Sequence, residues 1–552
     1  MALHHWLAVG FLLVVMAATV AGESSAENLR KILVDHFSTN RNHHSSRIGK
    51  QSALQFTYDT FIEHNLQVFT HTFDTDNTKV KGKNLIGVWP GTRAATHLDR
   101  PILIAAHYDS YLDTPGVCAD GSGMAALLEA IRVITARPCI QYNSIIFAAF
   151  DFEEKDTTTP GSACQNFGCG SRAYVSDVLV KYLKFVGISS AQFQGAFILD
   201  SILNFNGSVD SQKLPPGDFQ NAPGLEDAYN AITAHNHKGD FVTLVGRDHD
   251  SPLYQEFMRS WSNLGILQYK DQLMRIPLKQ VPPVATDPNY EHWPVYRDLT
   301  FGDHFSFWTY DSDLRAIHIT DTGPLRGYMQ ECYHKPCDNT DYLTQDNMAF
   351  LKKVTDATID ATMTLAVFPE TCTDPWTKSP EMLKSGIFLT GKVWHTKKTR
   401  HSFKIHLKEF KPNGAVVATI MNGSITLDLD GRYNADNKML ILRMAQPSNT
   451  APLPVKYDPV YLMKWTMTGE VVGFAGGILY YGFLTGPTNE AEEFSVTYSE
   501  DPSVGPNQAN VVLGVLLMIA VIAIIVVIVY LVYLKRTRKP FTELTEKSAI
   551  NT

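Results

Sequence analysis

The chain has 552 residues, 44% of them hydrophobic and 19% charged, and carries a formal net charge of −8. That length exceeds one ordinary domain and predicts two or three folded units, with apolar material for a sizeable core. The acidic balance leaves no basic footprint and excludes a nucleic-acid-binding role.

Residues 6–20 are almost wholly apolar and lead into Ala21 and Gly22, with Thr19 and Ala21 at the small-residue positions of a cleavage site. Residues 1–22 are therefore expected to be a signal peptide, although His4 and His5 stand where Lys or Arg is usual. The run is too short for a span, which takes about 20 residues. From residue 23 to 370 apolar runs alternate with amphipathic ones. Residues 85–89, 102–106, 144–150 and 196–199 read as short buried strands, and 124–135 and 171–184 as helices between them. Strands alternating with helices predict an α/β domain, a mostly parallel mixed sheet flanked by helices. The stretch 267–300 holds Pro277, Pro282, Pro283, Pro288 and Pro294 and predicts a long loop or lid. A helix over 347–367 closes the unit.

Beyond residue 370 the texture changes. Alternating runs at 402–409, 414–421 and 438–445, with turns at Pro412-Asn413-Gly414 and Asp430-Gly431, predict a smaller antiparallel β domain over 371–500. A sandwich is the expected form, and it carries no chemical constellation. Residues 501–510, with Pro502 and Pro506, read as a stalk. Residues 511–534 are uncharged and rich in Val, Ile and Leu, long enough for a transmembrane helix. Lys535, Arg536, Arg538 and Lys539 follow and put the tail 535–552 on the cytoplasmic side. This predicts a single-pass type I membrane protein with its bulk extracellular or lumenal. Seven cysteines suit an oxidising compartment, with Cys164/Cys169 and Cys332/Cys337 as disulfide candidates. Asn206 and Asn422 stand in acceptor sequons for glycosylation.

Five motifs carry chemistry: HYDS at 107–110, ADGSG at 119–123, FEE at 152–154, ILD at 198–200 and CYHKPCDNT at 332–340. His107, Asp120, Glu154, Asp200 and His334 offer the imidazole and carboxylate donors of a zinc site that keeps a position open. The strands at 102–106, 144–150 and 196–199 each run into a motif, where an α/β sheet puts its function. Asp109 lies two residues beyond His107 and can contact the ring or a strand neighbour, and such a carboxylate fixes a ligand imidazole. Asp120, in a Gly-rich turn, is suited to bridge two ions. Glu153 and Glu154 are adjacent, so their side chains diverge and one can stay free as a base. Cys332 and Cys337 bracket His334.

HYDS, ADGSG, FEE, GSRAYV at 170–175, ILD and YHKPCDNT, in this order, resemble the co-catalytic zinc exopeptidase family, which includes secreted bacterial leucyl aminopeptidases and plasma glutamate carboxypeptidase. The resemblance covers residues 80–365. It implies two zinc ions per chain, one held by His107, Asp120 and Asp200 and the other by Asp120, Glu154 and His334. It further implies Glu153 as general base and Asp109 as the residue that orients His107. The expected substrates are peptides with a free N-terminus. Residues 302–307 resemble the family's SDHxxF segment, with Gly302 in place of Ser, and no catalytic role is carried over there. His304 and His318 read as structural or as supports behind the ligands. Two rivals share the fold. Glutaminyl cyclases are transferases with a single zinc, and Phe150-Asp151-Phe152-Glu153-Glu154 has some of their character, but Ser122-Gly123 and His107 favour the two-metal peptidase. Receptor-like members have lost ligands, whereas no ligand or base is missing here.

Overall fold

The computed structural model describes residues 23–368 except 76–79, 92, 95–96, 138–140, 155–162, 167, 216 and 278–294, and eight strands between 387 and 500. In the first unit the strands are β1 (Gln67–Asp74), β2 (Lys81–Trp89), β3 (Ile102–His107), β4 (Ile145–Phe150), β5 (Gly195–Leu199), β6 (Phe241–Arg247), β7 (Lys270–Ile276) and β8 (Ala316–Thr320). They form one sheet in the order β1-β2-β4-β3-β5-β8-β6-β7. β4, β3, β5 and β8 run parallel, as do β6 and β7, while β1–β2, β2–β4 and β6–β8 are antiparallel. The mixed α/β sheet is the one expected from the sequence.

The helices are α1 (Ala26–His36), α2 (Arg47–Glu63), α3 (Gly123–Thr135), α4 (Gly170–Tyr174), α5 (Val180–Val186), α6 (Glu226–Ala234), α7 (Ser251–Asn263), α8 (Val295–Asp298), α9 (His304–Tyr310), α10 (Met329–Cys332) and α11 (Gln345–Ala366). A π-helical turn, Val175–Leu179, joins α4 to α5. Side chains alternate across a strand, so β3 feeds both faces. Ile102, Ile104 and Ala106 pack with α1, α3, α7 and α11, and Leu103 and Ala105 pack with α4, α5, α6 and α9. Every residue of β3, β4 and β5 is buried. Covered on both faces, these strands read as continuous apolar runs.

The stretch expected to be a loop from 267 to 300 begins instead with β7, which pairs with β6 from Phe241↔Lys270 to Arg247↔Ile276, and ends with α8; its middle, 278–294, lies outside the described residues. Its prolines begin only at Pro277, after the strand is complete, and they drew the loop reading too far back.

The second unit corrects the expected sandwich. Strands β9 (Ile387–Trp394), β10 (Arg400–Phe410), β11 (Ala415–Asn422), β12 (Ile425–Asn434), β13 (Met439–Met444), β14 (Pro459–Thr468), β15 (Val471–Tyr481) and β16 (Glu492–Glu500) form a closed barrel. Closure is made by β16 pairing antiparallel with β9, from Phe494↔Val393 to Glu500↔Ile387. That contact joins the two ends of the unit and leaves no free edge. No described helix is long and apolar enough to cross a membrane. The expected signal peptide, stalk, transmembrane helix and tail, and Cys139 and Cys372, lie outside the described residues.

Candidate metal centre

β3, β4 and β5 end at one edge of the sheet, and each delivers a site residue there. His107 is the last residue of β3. Its Nδ1 lies 3.3 Å from Asp109 Oδ1 and 3.2 Å from the Asp109 carbonyl. The Asp109 carboxylate also accepts from the backbone amides of Glu153 at 3.3 Å and Glu154 at 3.1 Å. One carboxylate thus couples the loop after β3 to the loop after β4.

Asp120 sits in the turn before α3. Its Oδ1 accepts from the amides of Gly123 at 2.7 Å and Ser201 at 3.2 Å. The first contact caps α3, where a helix has unsatisfied N–H groups. Position 123 has to be glycine, because a Cβ there would meet Asp120 Oδ2 at 2.2 Å and the Leu199 carbonyl at 2.5 Å. Ser122 Oγ accepts from the Ile202 amide at 2.9 Å and ties the turn to the loop after β5.

Glu153 and Glu154 diverge. Glu153 Oε2 lies 3.9 Å from His107 Nε2, and Glu154 Oε1 lies 3.1 Å from His334 Nε2. Asp200 follows β5, with Oδ1 3.8 Å from His107 Nε2 and Oδ2 3.4 Å from His318 Nε2. His334 arrives from beyond β8, in the loop closed by the Cys332–Cys337 disulfide. Its ring stacks between Tyr111 at 4.1 Å and Tyr333 at 3.9 Å, and its φ is +58°. Phe152 and Ser201, next to Glu153 and Asp200, also have positive φ, at +57° and +52°. Non-glycine residues held there by their surroundings are a mark of functional loops.

Donor atoms of His107, Asp120 and Asp200 all lie within 4.8 Å of one another, as do those of His107, Glu153 and Glu154. Burial pushes the Asp120 and Glu153 carboxyls well above the usual range. Burial acts the same way on Asp200, but its contacts with His107 and His318 outweigh it and hold that carboxyl well below the usual range. Burial pulls the His107 imidazole down, and Asp109, Asp200, Glu153 and Asp120 together outweigh it and hold the ring well above its usual value. Four carboxylates crowded out of water need positive charge. The donor set fits a divalent cation on three counts: Asp120 Oδ2 has no hydrogen-bond partner among the described residues, His334 Nε2 and His318 Nε2 approach carboxylates without hydrogen-bonding to them, and all donors are nitrogen or oxygen.

Several supports had little or no signal in the sequence. Arg41 is fully buried and donates to the carbonyls of Tyr108, Phe37, Thr39, Pro115 and Gly116 at 2.7–3.0 Å. It holds the loop that follows His107. Lys50 pairs with Asp151 at 2.5 Å, and its ammonium lies 3.8 Å from the centroid of the Phe152 ring. Asp303, in the 302–307 segment, is buried, and burial pushes its carboxyl up to about 7. His304, whose imidazole burial holds well below its usual value, stacks on His318 at 4.7 Å. Asp338 was visible inside CYHKPCDNT, but its partners in the 117–122 turn were not.

Of the other sequence candidates, Cys164–Cys169 and Cys332–Cys337 are disulfides, and Cys118 is a buried free thiol. Asn206 is half-buried and its carboxamide oxygen accepts from the Ser208 amide; Asn422 ends β11.

Residues 84–252 match peptidase family M28. The matched segment contains His107, Asp109, Asp120, Glu153, Glu154 and Asp200, and His334 lies beyond it. Over 90 residues the chain is 40% identical to the putative endoplasmic reticulum metallopeptidase 1 of Schizosaccharomyces pombe, which covers 15% of this chain and 11% of that protein. The chain thus matches about a tenth of the length of that curated relative. Among solved structures, a leucine aminopeptidase precursor from Bacteroides thetaiotaomicron aligns at 12% identity and a TM-score of 0.41, over 62% of this chain and 98% of its own. A glutaminyl cyclase of the same organism, bound to N-acetylhistamine, aligns at 13% and 0.41 over 62% and 98%. A Zn-dependent exopeptidase from Parabacteroides distasonis aligns at 13% and 0.39 over 63% and 99%. Over residues 84–252 the chain carries the domain of peptidase family M28.

Proposed function

We propose that the chain is a zinc-dependent exopeptidase of the aminopeptidase type, removing N-terminal residues from peptides. The observation that carries this reading is the convergence of His107, Asp120, Glu153, Glu154 and Asp200 into overlapping donor sets at the C-terminal edge of the sheet. In this reading His107, Asp120 and Asp200 would hold one zinc ion, and Asp120, Glu154 and His334 a second. Zinc supplies Lewis acidity there, lowering the pKa of water toward neutrality and polarising a carbonyl. Glu153 takes the proton of the attacking water and returns it to the leaving amine, as a base within reach of both can do. Burial, with the carboxylates of Glu154, Asp200 and Asp303, tunes it toward holding that proton, against the opposing pull of His107. Asp109 orients the His107 ring. The same field favours a substrate with a free ammonium group.

We place the domain on the extracellular or lumenal side, with 1–22 removed and 511–534 as the anchor. The two disulfides among the described residues suit an oxidising compartment, and the name of the S. pombe relative points to the same setting for the segment it shares.

The test is zinc content of the purified full chain together with turnover of a panel of aminoacyl amides, dipeptidyl amides and an N-terminal glutaminyl peptide. Two zincs with release of N-terminal residues is the expected result. One zinc with cyclisation of the glutaminyl peptide would move the assignment to a glutaminyl cyclase. Absence of both metal and turnover would move it to a receptor-like role.

A further inference from the structure

The two imidazoles of the donor set are braced in different ways. The His107 side chain is 2% exposed, and its Nδ1 lies 3.3 Å from the Asp109 carboxylate and 3.2 Å from the Asp109 carbonyl. A ligand imidazole is usually held like this, through the nitrogen that does not face the metal. His334 has no such partner: among the described residues neither of its ring nitrogens makes a hydrogen bond. Its side chain is 24% exposed. The last torsion of a histidine has broad wells, and the donor lone pair lies in the plane of the ring. An imidazole free to turn about that torsion swings its donor away from an ion.

What holds the His334 plane is aromatic. The Tyr111 ring stacks on it with centroids 4.1 Å apart and planes 7° apart, and the Tyr333 ring with centroids 3.9 Å apart and planes 20° apart. Two rings stacked so closely on one imidazole take its opposite faces and form a slot. Tyr333 is the chain neighbour of His334 and moves with it. Tyr111 comes from the loop after β3, which is anchored independently. Asn40 Nδ2 donates to the carbonyls of Tyr111 at 3.3 Å and Thr114 at 2.9 Å, and the Thr114 amide donates back to the Tyr111 carbonyl at 3.1 Å. The Arg41 guanidinium holds the Tyr108, Pro115 and Gly116 carbonyls on either side. Tyr111 is thus the fixed wall of the slot. With the plane so set, His334 Nε2 lies 3.1 Å from Glu154 Oε1.

We propose that Tyr111 is the positioning residue for the zinc ion held through His334, and that its ring sets how tightly that ion is kept relative to the one at His107. This rests on the two-zinc reading above. Stacking does for His334 what the Asp109 carboxylate does for His107, through ring contact in place of a hydrogen bond. It also adds no further negative charge to a centre that already gathers Asp120, Glu153, Glu154 and Asp200. The ring and not the hydroxyl carries the effect, so phenylalanine at 111 keeps it and alanine removes it.

The experiment is stepwise zinc titration of the metal-free full chain against a chromophoric chelator, for the parent, Tyr111→Phe and Tyr111→Ala. Thermal melting of each metal-free protein checks that it is folded. The parent and Tyr111→Phe are expected to bind two equivalents alike. Tyr111→Ala is expected to bind one equivalent as the parent does and the other about tenfold or more weaker, the scale for losing the group that orients a ligand imidazole. Selective weakening of one step, with rescue by phenylalanine, is what a general loss of structure would not produce. Two equivalents bound by Tyr111→Ala as tightly as by the parent would overturn the proposal and leave the two-zinc reading standing. Equal weakening of both steps, or weakening in Tyr111→Phe as in Tyr111→Ala, would overturn it as well. A parent that binds a single equivalent would overturn the two-zinc reading; the positioning role would then be upheld if Tyr111→Ala, but not Tyr111→Phe, weakens that equivalent, and overturned if neither does. A parent that binds no zinc would overturn both.

Discussion

The Asp338 carboxylate accepts from the backbone amides of Cys118 at 2.8 Å and Ala119 at 3.1 Å, across 220 and 219 positions of sequence. Those two residues immediately precede Asp120, so the loop that presents His334 also grips the turn that presents Asp120. Asp338 lies close behind the Cys332–Cys337 disulfide. The two halves of the proposed metal centre are therefore assembled by one segment. Asp338→Ala leaves two buried amides without an acceptor, which costs about 3 kcal/mol. We expect a lower urea midpoint together with weaker zinc retention on dialysis. Full zinc retention in a folded variant would show that Asp338 does not position Asp120.

Arg41 saturates five backbone carbonyls and no carboxylate. Only a planar fork with five N–H donors can do this, and lysine has three donors from a single nitrogen. Arg41→Met is expected to lose about 3 kcal/mol or more of stability, and Arg41→Lys to recover little of it. Denaturant unfolding of the three proteins measures both. Stability restored by lysine would mean that charge, not fork geometry, holds the loop after His107.

The Cys332–Cys337 disulfide closes a very short loop. The chain-entropy argument gives such a loop about 2 kcal/mol, less than a long one. The larger effect of its loss is expected on His334, whose φ of +58° is held by its surroundings. The double variant Cys332→Ser/Cys337→Ser should therefore lose zinc affinity by more than its melting temperature suggests. A variant that melts much lower yet binds zinc as the parent does would contradict this.

Lys353, in α11, is buried with its ammonium 2.7 Å from the Ile266 carbonyl and 4.0 Å from the Trp261 ring centroid. Burial lowers its pKa to about 8, with Asp271 pulling the other way. The folded chain gives up this proton near pH 8, whereas the unfolded chain holds it to about 10.4. Between those values the unfolded state binds more protons, so this group's contribution to stability rises with pH. Below pH 8 both states carry the charge and the buried ammonium weighs against folding. The melting temperature of the parent minus that of Lys353→Met should therefore grow as pH rises from 8 toward 10. A difference that stays level would mean Lys353 titrates normally.

Removing the metal should unmask the carboxylate repulsion at the edge of the sheet. Ligand linkage makes a tightly bound ion worth several kcal/mol, about 4 at a thousand times its Kd. Chelation is expected to lower the melting temperature and zinc to restore it. Asp120→Asn, which removes one negative charge, should shrink that drop. An unchanged melt on chelation would argue against a resident ion.

The parts of this fold that could be read from the sequence are those with local signatures. β3, β4 and β5 are short apolar runs that end in polar motifs, and His107, Glu153 and Asp200 stand where those runs stop. α3 and α11 show their apolar faces in the same way. What could not be read is decided by partners far along the chain. Arg41 looks like any exposed arginine in a polar stretch until Tyr108 and Gly116 fold over it. His318 lies on a strand whose neighbour β5 is more than a hundred residues earlier, and only that pairing brings it to Asp200. The barrel and a sandwich share the same alternation within each strand; only the pairing of β16 with β9, at opposite ends of the unit, separates them.

The most direct measurement is kcat for an aminoacyl amide in Glu153→Gln beside the parent, with zinc counted in the same samples. The substitution keeps the shape of the side chain and removes its ability to take a proton. The account predicts unchanged zinc content and a fall in kcat of about 100-fold or more, the usual worth of a general base. Turnover that survives in the zinc-loaded variant would contradict the role assigned to Glu153 and the mechanism built on it.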